Sequence, residues 1–416
     1  MRTIQLLRKL DPAEWGGTEM AMQRLFDGLR QKGVQTIVYC PRIENGVEED
    51  PLMRAGHEVQ RFNAFVPVLG LSEVRRRQMI AVGGNLMSFD LVSSLWRDKN
   101  VALIHSHTLG RIGGIGRTIA RQRQVPFVLT IHGGVLDLPE AVQKSFNAPL
   151  ERGWEWGKLF GLLFQSHRLF QDADAILTCN EREAALLREK LPEKRIVVQP
   201  HGIEPEKFCV DHRAEARAAF PQICHRSVLL CLGRIDPIKN QGWLLDQMPE
   251  ILRRHPQALV VLAGACTDEP YGQKIDQRIR QLGLQNSVLL TGGLPSGDPR
   301  LIGLLQEARA VILPSVSETF GLVILEAWAA GVAVLSSRTS GASALIEHGE
   351  NGWLFDLEKP DRFLQALDRT LARPIDAKEL ARHGAEKVRE NYTLDAIASN
   401  VKRLYEDLIE KSRCVT

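Results

Sequence analysis

The sequence predicts an α/β protein built from two doubly wound, Rossmann-like domains that face each other across a crevice. Three observations support this class: short apolar runs rich in Val, Ile and Leu, amphipathic segments between those runs, and one break in the alternation. Near-continuous apolar runs are typical of parallel strands that are covered on both faces. Their regular alternation with helical segments indicates doubly wound sheets.

The predicted strands form two series along the chain. The first series comprises residues 3–7, 34–40, 101–106, 126–131, 174–178 and 195–199, and the second comprises 227–232, 258–263, 287–291, 310–313 and 332–336. Predicted helices lie at 18–31, 241–254, 271–283, 299–307 and 322–330, and a helical tail follows from about 375 to 411. Residues 200–226 contain three prolines and no predicted strand, so we expect the domain break there.

The composition excludes several classes of protein. The chain has 416 residues and a formal net charge of +3, which is too small to indicate a nucleic-acid-binding protein. Its seven cysteines are scattered without a C-x-x-C pair, which argues against a disulfide framework or a zinc site. The N-terminal stretch is too short and too charged for a signal peptide, and no apolar run approaches the roughly 18 residues that span a bilayer. We therefore expect a cytoplasmic protein.

Two glycine-rich segments follow predicted strands in the first half of the chain. Gly16 and Gly17 open the first helix, where free backbone amides are suited to bind phosphate, and the alternative is a tight turn with Thr18 as the N-cap. Residues 110–116 are similar to a dinucleotide-binding loop, but they are not G-x-G-x-x-G and lack the acidic residue expected about twenty residues later. We interpret these later glycines as helix–strand packing.

Histidines mark the carboxyl ends of two predicted strands. His132 ends the fourth strand beside a pair of glycines, and His105 and His107 end the third. Ligands of doubly wound sheets bind at the carboxyl ends of the strands, so we expect a functional role for His132. The alternative is a hydrogen-bonded structural histidine.

A cationic loop follows the first strand of the second series. Arg234 and Lys239 lie five residues apart in the loop 233–240, which contains a proline and no metal-ligand cluster. Fixed cations neutralise a diphosphate where no metal does, so both side chains are candidates to bind one anion. The alternative is ordinary surface charge.

The most specific motif is S-V-S-E-T-F-G-L-V-I-L-E-A at residues 315–327. Glu318 lies in the loop after a predicted strand, and Glu326 lies one to two turns into the helix that follows. Free amides at the start of that helix form an anion site, which the two carboxylates flank. One acid is then placed to bind sugar hydroxyls and the other to bind a ribose diol. The alternative is a capped amphipathic helix with two chance acids.

Taken together, these segments resemble the glycosyltransferase family 4 enzymes, which are retaining transferases of the GT-B fold. The matches are the G-G-T-E loop, the T-x-H-G strand end, the G-R-x4-K loop, the E-x7-E element and the later Gly341 and Gly352, in order over nearly the whole chain. The E-x7-E element with F-G-L is the most specific part. The resemblance implies an acceptor-binding domain at 1–205, a nucleotide-sugar-binding domain at 206–390, and a C-terminal helix at 391–416 that packs back on the first domain.

The resemblance also implies roles for particular residues. It assigns catalysis to His132, Glu318, Arg234 and Lys239, the donor diphosphate and sugar to Gly16, Gly17, Thr319, Phe320, Gly321 and Leu322, and the nucleoside to Glu326, Gly293 and Leu294. It implies no cofactor and no metal. The implied partners are a nucleoside-diphosphate sugar, with UDP-sugars before GDP-mannose, and a glycan or lipid-linked acceptor in polysaccharide biosynthesis.

Two positions depart from the family pattern. His201 replaces the usual Asn after the last strand of the first domain, and Asn240 replaces the common Gly after Lys239. The first departure bears on the hinge or the crevice, and the second on the backbone of the cationic loop.

The implied reaction breaks the bond between the anomeric carbon and the diphosphate, and preorganised cations and amides stabilise the charge that develops on the leaving group. No carboxylate is an obvious nucleophile, which favours attack on the same face with the leaving phosphate taking the acceptor proton. The alternatives are a nucleotide-sugar epimerase of the same fold and a non-catalytic nucleotide-sugar-binding protein. The failed glycine fingerprint disfavours an NAD-dependent enzyme.

A basic segment at 71–97 is a candidate membrane contact. It contains three consecutive arginines at 75–77 and an apolar line at Val82, Leu86, Phe89 and Trp96, whose spacing fits one face of a helix. Such a helix would lie on the inner face of an anionic membrane or bind a lipid-linked acceptor. The alternative is a helix packed in the core.

Overall fold

The computed structural model describes residues 1–10, 16–42, 50–70, 76, 86–133 and 154–415. The chain forms two compact units, which we call unit 1 (Met1–Gly202 with Leu394–Thr416) and unit 2 (Ile203–Thr393). Each unit is built on one parallel sheet flanked by helices, which confirms the predicted α/β class. The boundaries between the units lie at 202/203 and 393/394, whereas the expected boundaries were at 205/206 and 390/391. Ile203 and Thr393, the first and last residues of unit 2, form a parallel backbone bridge.

Unit 1 contains a seven-stranded sheet in the order β3-β2-β1-β5-β6-β8-β9. The strands of unit 1 are β1 (Arg2–Leu6), β2 (Gln35–Pro41), β3 (Glu58–Phe62), β4 (Val68–Leu69), β5 (Leu103–Ser106), β6 (Phe127–Ile131), β7 (Trp154–Glu155), β8 (Ala175–Thr178) and β9 (Ile196–Val198). All pairs in the large sheet are parallel, and the short β4 and β7 form a separate antiparallel pair. The central strands are almost fully buried, as their continuous apolar runs predict.

The helices of unit 1 connect and cover these strands. They are α1 (Gly17–Gln31), α2 (Pro51–Arg54), α3 (Asp90–Arg97), α4 (Gly110–Gln122), α5 (Lys158–Leu163), α6 (Leu169–Asp172) and α7 (Glu181–Lys190). Gly116 of α4 allows close packing on the sheet, because a Cβ there would lie 2.3 Å from Leu6 Cδ1 of β1. This contact confirms helix–strand packing at Gly116, whereas a Cβ at Gly113 or Gly114 would meet Thr108 or Ser166 instead.

Unit 2 contains a six-stranded parallel sheet in the order β12-β11-β10-β13-β14-β15. Its strands are β10 (Ser227–Leu232), β11 (Ala258–Ala263), β12 (Val288–Gly292), β13 (Ala308–Leu313), β14 (Val334–Ser337) and β15 (Trp353–Phe355). Its helices are α8 (Arg213–Ala219), α9 (Gln241–Arg254), α10 (Glu269–Gln281), α11 (Pro299–Glu307), α12 (Leu322–Ala329), α13 (Ser340–Leu345), α14 (Pro360–Ala372) and α15 (Pro374–Asn391). Strands β10 and β13 are neighbours at the centre, so the loops after them start side by side.

The last helix, α16 (Leu394–Val415), belongs to unit 1. Its apolar residues Val401 and Tyr405 share a buried cluster with Leu29 of α1. The two helices approach closely, because a Cβ at Gly28 would lie 2.7 Å from the Ala398 Cβ. The chain therefore returns to its first unit through a close helix–helix contact.

The prediction that apolar residues between 82 and 96 lie on one face of a single helix is wrong. Met87 pairs with Phe65 in an antiparallel bridge, so the chain before α3 is extended, and α3 begins only at Asp90. Helix α3 buries Leu91 and Leu95 instead, while Phe89 and Trp96 are more than half exposed. Val82 and two of the three arginines, at 75 and 77, lie outside the described residues. Within the part of the chain that the structure describes, no helix has the length and apolarity needed to cross a membrane.

Candidate functional site

The cationic loop of unit 2 is shaped by Asp236. The loop leaves β10 through Gly233, whose φ of 153° favours glycine. The buried Asp236 carboxylate accepts the amide hydrogens of Ile238 at 2.9 Å and Lys239 at 3.0 Å, and it pairs with Arg234 Nη2 at 3.1 Å. Asp236 therefore fixes the turn that presents both predicted cations.

Asn240 ends this loop in a left-handed conformation, with φ 55° and ψ 39°, and serves as the N-cap position of α9. Glycine takes this conformation without strain, and Asn is one of the few other residues that adopt it readily. Asn240 therefore takes a backbone geometry that glycine also adopts freely.

Two predicted catalytic side chains meet directly. Lys239 Nζ and Glu318 Oε2 form an ion pair between residues 79 positions apart, and each side chain is about one-quarter exposed. The Glu318 carbonyl accepts hydrogen bonds from the Gly341 amide at 2.8 Å and from Ser340 Oγ at 3.2 Å. The loop after β13 is thus held from one side by α13 and from the other by the cationic loop. Arg234 pairs with Asp236 and is half exposed.

The helix that follows this loop begins at Leu322, the predicted first residue. Its N-cap, Gly321, has φ 94°, and a Cβ there would lie 2.8 Å from Ile324 Cδ1. Phe320 is buried with its ring 6.1 Å from that of Tyr392, so the Phe320 side chain is part of the core. Only the backbone of Phe320 is therefore left for the predicted ligand role.

The predicted nucleoside-binding residues lie on neighbouring parts of unit 2. Glu326 is half buried on α12, the helix that directly follows the loop containing Glu318. Gly293 and Leu294 follow β12, the strand at one edge of the sheet. A Cβ at Gly293 would lie 3.0 Å from the Ala265 Cβ, so the two loops after β11 and β12 touch.

Unit 1 brings its histidines into a continuous stack. The ring centroids of His105 and His107 are 4.1 Å apart, those of His107 and His132 are 5.1 Å apart, and those of His132 and His201 are 5.7 Å apart. The three predicted histidines therefore lie together at the strand ends, and His201 extends the stack.

These histidines are held in the neutral form. Burial lowers the pKa of His105 to about 3, and His132 adds a smaller electrostatic contribution in the same direction. Burial also holds the pKa values of His107 and His132 well below their usual range, and repulsion between protonated rings of the stack opposes their charging further. A neutral imidazole has one donor and one acceptor nitrogen, so each ring has a defined polarity.

The start of α1 is capped by a side chain of the helix itself, Glu19. Gly16 is the N-cap, and its amide donates to Glu19 Oε2 at 3.1 Å. The alternative that Thr18 caps this helix is therefore wrong. Gly17 is exposed as the first residue of the helix, and Gly16 is half buried.

Comparison with known proteins decides the family. Residues 16–202 match the model of the glycosyl transferase 4-like domain, and residues 213–387 match that of the glycosyl transferases group 1. A D-inositol 3-phosphate glycosyltransferase of Frankia alni is 31% identical over 316 residues, which cover 73% of this chain and 73% of that protein. The chain belongs to the glycosyl transferases group 1 family.

Two further comparisons describe the relatives of this glycosyltransferase. An uncharacterized glycosyltransferase of Methanocaldococcus jannaschii is 31% identical over 224 residues, which are 53% of this chain and 56% of that protein. The crystal structure of Anabaena HepE in complex with UDP has a TM-score of 0.75 at 18% identity and covers 98% of this chain and 100% of that one. This likeness shows that the glycosyltransferase has the GT-B fold.

Sequence reasoning missed three polar residues of the glycosyltransferase's histidine stack. His201 was noted only as a departure from the family pattern, although its ring stacks on His132. Gln5 and Tyr405 were missed entirely, although Gln5 Oε1 lies 2.9 Å from His107 Nε2 and the Tyr405 hydroxyl lies 2.5 Å from His105 Nδ1. Gln5 lies in the buried strand β1 together with one other buried polar residue, Thr3, and this pair of polar residues in an otherwise apolar run is the signal that could have found it.

Acid should destabilise unit 1 of the glycosyltransferase through the buried histidines. The pKa of His105 is about 3 in the folded chain, below the ordinary value of 6.5. Its contribution to stability is therefore complete above about pH 6.5 and is lost as the pH falls toward 3, because the unfolded chain then binds more protons. We expect calorimetry to show the unfolding free energy falling from pH 6.5 to 4, at up to about 1.4 kcal/mol per pH unit for each such histidine.

Two variants test this pH dependence. His105→Gln should be less stable at pH 7 and should show a shallower loss of stability in acid. His383→Gln replaces an exposed histidine and should leave the slope unchanged. A slope that is the same in wild type and His105→Gln would contradict the assignment.

Proposed function

We propose that this glycosyltransferase transfers a hexosyl group, with retention of configuration, from a nucleoside-diphosphate sugar to a glycan or lipid-linked acceptor in polysaccharide biosynthesis. The observation that carries the proposal is the direct contact between Lys239 and Glu318 beside the start of α12. It places a cation, a carboxylate that can bind hydroxyls and a helix start within one cluster of unit 2. A nucleoside-diphosphate sugar carries both an anion and hydroxyls that need such groups.

In the proposed reaction, Arg234 and Lys239 stabilise the diphosphate as negative charge develops on it. Each has a built-in acid partner, Asp236 for Arg234 and Glu318 for Lys239. These partners hold the cations in position before the donor arrives, and preorganised charge is more effective than charge that must reorient during the reaction. Glu318 then binds the hydroxyls of the transferred sugar, and Glu326 binds the ribose.

Retention by attack on the same face of the sugar fits the surroundings of Glu318. Its carboxylate faces the Lys239 ammonium, which lowers its nucleophilicity and suits it to binding hydroxyls. The leaving phosphate takes the proton of the acceptor hydroxyl as the new glycosidic bond forms. A glycosyl adduct trapped on Glu318 and identified by mass spectrometry would contradict this mechanism.

Transfer is expected to proceed without a divalent metal, because two fixed cations supply the positive charge that the diphosphate needs. Activity measured in excess EDTA should stay within about twofold of the untreated enzyme. A loss that Mg²⁺ or Mn²⁺ restores would contradict metal-independent transfer.

UDP-sugars are the favoured donors, and GDP-mannose is the second candidate. The Anabaena protein of the same fold was crystallised in complex with UDP-glucose, which supports this order. The inositol-phosphate relatives add D-inositol 3-phosphate to the acceptors worth assaying. We also propose that the arginines at 75–77 contact an anionic membrane surface. Changing all three to Gln should then reduce sedimentation of the protein with anionic liposomes.

A thermal-shift panel of nucleoside diphosphates and their sugars tests the donor site. A ligand that binds only the folded state stabilises it by RT ln(1 + [L]/Kd), about 2.7 kcal/mol at 100 times Kd. We expect UDP and a UDP-sugar to raise Tm most, and Lys239→Ala to abolish that rise. Equal shifts for every nucleotide, or a rise that Lys239→Ala leaves intact, would contradict the site.

A further inference from the structure

One nitrogen of the histidine stack is buried without a partner. His132 Nδ1 is inaccessible to solvent and has no hydrogen-bond partner among the described residues. The other nitrogen, Nε2, lies 2.9 Å from His107 Nδ1. Buried polar atoms are nearly always hydrogen-bonded, so an orphaned one indicates a missing partner such as a ligand group or a water.

The polarity of this orphaned nitrogen follows from Gln5, at the other end of the hydrogen-bond chain. The Thr3 hydroxyl donates to the Gln35 carbonyl at 3.5 Å, so Thr3 Oγ1 is left to accept from Gln5 Nε2 at 3.1 Å. Gln5 Nε2 also donates to the Tyr405 hydroxyl at 3.4 Å. With both contacts made by the amide nitrogen, Gln5 Oε1 is the acceptor that faces His107.

The chain then runs in one direction from Gln5 to His132. His107 Nε2 must donate its proton to Gln5 Oε1, at 2.9 Å. In a neutral ring, His107 Nδ1 is then an acceptor, so His132 Nε2 must donate to it. His132 in turn carries its only proton on Nε2, and its Nδ1 presents a lone pair.

The neighbouring hydroxyls fit the same direction. The Tyr405 hydroxyl accepts from Gln5 and is left to donate to His105 Nδ1 at 2.5 Å. His105 Nε2 then donates to Thr130 Oγ1 at 2.6 Å. Every described member of the network therefore has a partner of the correct sense except His132 Nδ1.

We propose that Gln5 and His107 are positioning residues that hold His132 in the Nε2–H tautomer, so that its Nδ1 lone pair accepts a hydrogen bond from a hydroxyl of the substrate. The proposal rests on the proposed transferase function for the identity of the hydroxyl, and on the structure of unit 1 alone for the tautomer. Gln5 acts from inside β1, and through two hydrogen bonds it decides which nitrogen of His132 is the acceptor. A hydroxyl-bearing ligand is selected over an acceptor-only group such as a carbonyl, because only a donor satisfies a lone pair.

The surroundings keep this acceptor unprotonated. Burial lowers the pKa of His132 well below its usual range, and repulsion from a protonated His107 or His201 and from Arg8 opposes its charging further. Beyond His107, the stack continues to His105, and Arg24 lies near His201 and acts on that ring in the same sense. Among the residues that the structure describes, no acidic side chain acts on His132, so nothing there favours its protonation at neutral pH.

The cavity beside His132 has room for one small group. It is lined by His107, His132, His201 and Thr130, among others, and it offers about 20 Å³ to the centre of a water molecule. One water needs at least roughly 10–15 Å³ on this measure. A single hydroxyl or water therefore fits there, and either would donate to the free lone pair.

Imidazole NMR of the full-length protein labelled with ¹⁵N-histidine tests the tautomer without any substrate. Long-range ¹H–¹⁵N correlations distinguish the protonated from the unprotonated nitrogen of each ring, and His132→Asn identifies the His132 signals among the eleven histidines. We expect His132 to be protonated on Nε2 alone and unchanged from pH 6 to 8. A proton on Nδ1 of His132 would overturn the proposal whether or not the protein is a transferase.

Substitution of Gln5 tests how the tautomer is set. Gln5→Leu removes the acceptor, so His107 and His132 should populate both tautomers. Gln5→Glu places a carboxylate beside His107 Nε2, which favours a doubly protonated His107 that donates from Nδ1 and shifts the His132 proton to Nδ1. The two variants therefore give different spectra, which a general loss of stability would not produce.

Kinetics show whether the tautomer matters for transfer. We expect Gln5→Leu to lower kcat about tenfold or more, in line with general acid–base and hydrogen-bonding contributions, while the donor dissociation constant stays within twofold. Thr36→Val is the matched control, because Thr36 is buried on the neighbouring strand β2 and contacts His57 instead of the stack. Gln5→Leu with an unchanged His132 tautomer, or with a kcat equal to that of Thr36→Val, would overturn the proposal. If wild type has no transferase activity, the proposed function fails while the tautomer measurement stands by itself.

Discussion

Replacing Lys239 by alanine should lower kcat for transfer by about 100- to 1,000-fold. The substitution removes one of the two cations proposed to neutralise the leaving diphosphate. It also leaves the Glu318 carboxylate without its ion-pair partner, and this negative charge then repels the diphosphate. Steady-state kinetics with a saturating donor measure the loss in kcat, and titration with the nucleoside diphosphate measures the accompanying loss in affinity.

Lys387→Ala is the matched control for this prediction. Lys387 has the same side-chain exposure as Lys239, 23%, and also pairs with a glutamate, Glu347, in unit 2. Its removal should change kcat less than twofold, because exposed ion pairs contribute little to stability. Equal effects from the two substitutions would mean that Lys239 acts through the fold and not through the diphosphate.

Replacing Gly341 by alanine should damage the same cluster through the backbone. A Cβ at Gly341 would lie 2.5 Å from the Phe320 nitrogen and 2.6 Å from the Thr319 carbonyl carbon, and neither atom can move without moving the loop. Overpacking of this kind costs about 1–3 kcal/mol, or roughly 5- to 150-fold in an equilibrium constant. We expect that loss in donor affinity, together with a lower Tm in the absence of donor.

Gly242→Ala controls for the added methyl group. Gly242 lies in the first turn of α9 in the same unit, and the nearest atom to its added Cβ is Tyr271 Oη at 3.5 Å, an ordinary contact. This variant should bind donor as wild type does. Normal donor affinity in Gly341→Ala would show that the loop carrying Glu318 tolerates displacement and would remove the reason for a glycine at 341.

The sequence predicts the central strands well because their apolar runs are continuous. Strands β10 and β11 occupy the predicted residues 227–232 and 258–263. The edge strand β3 was missed because it alternates exposed and half-buried residues and lacks the signature of a strand covered on both faces. At one edge of the sheet of unit 2, β15 has only three residues, too few for a pattern. Helix α8 was placed in a linker because it has seven residues between prolines.

The donor cluster could be predicted as a set of residues but not as a set of contacts. Motif spacing identified Lys239 and Glu318, but their ion pair joins loops after two strands that are neighbours only through the sheet order. The histidine stack shows the same limit more strongly. Gln5 and Tyr405 are 400 positions apart, and only the return of α16 to unit 1 brings them together. Long-range pairing of this kind leaves no periodic signal in a single sequence.

Analysis of the products of a single incubation shows whether the protein transfers a hexosyl group with retention of configuration. The purified protein is incubated with a UDP-sugar and an acceptor panel that includes D-inositol 3-phosphate and lipid-linked glycans, and products are followed by NMR and by release of UDP. We expect free UDP to be released in step with the appearance of a new anomeric proton signal whose configuration matches that of the donor. An inverted linkage would contradict retention. An epimerised nucleotide sugar without free UDP, or a bound donor that stays intact with every acceptor, would contradict glycosyl transfer itself.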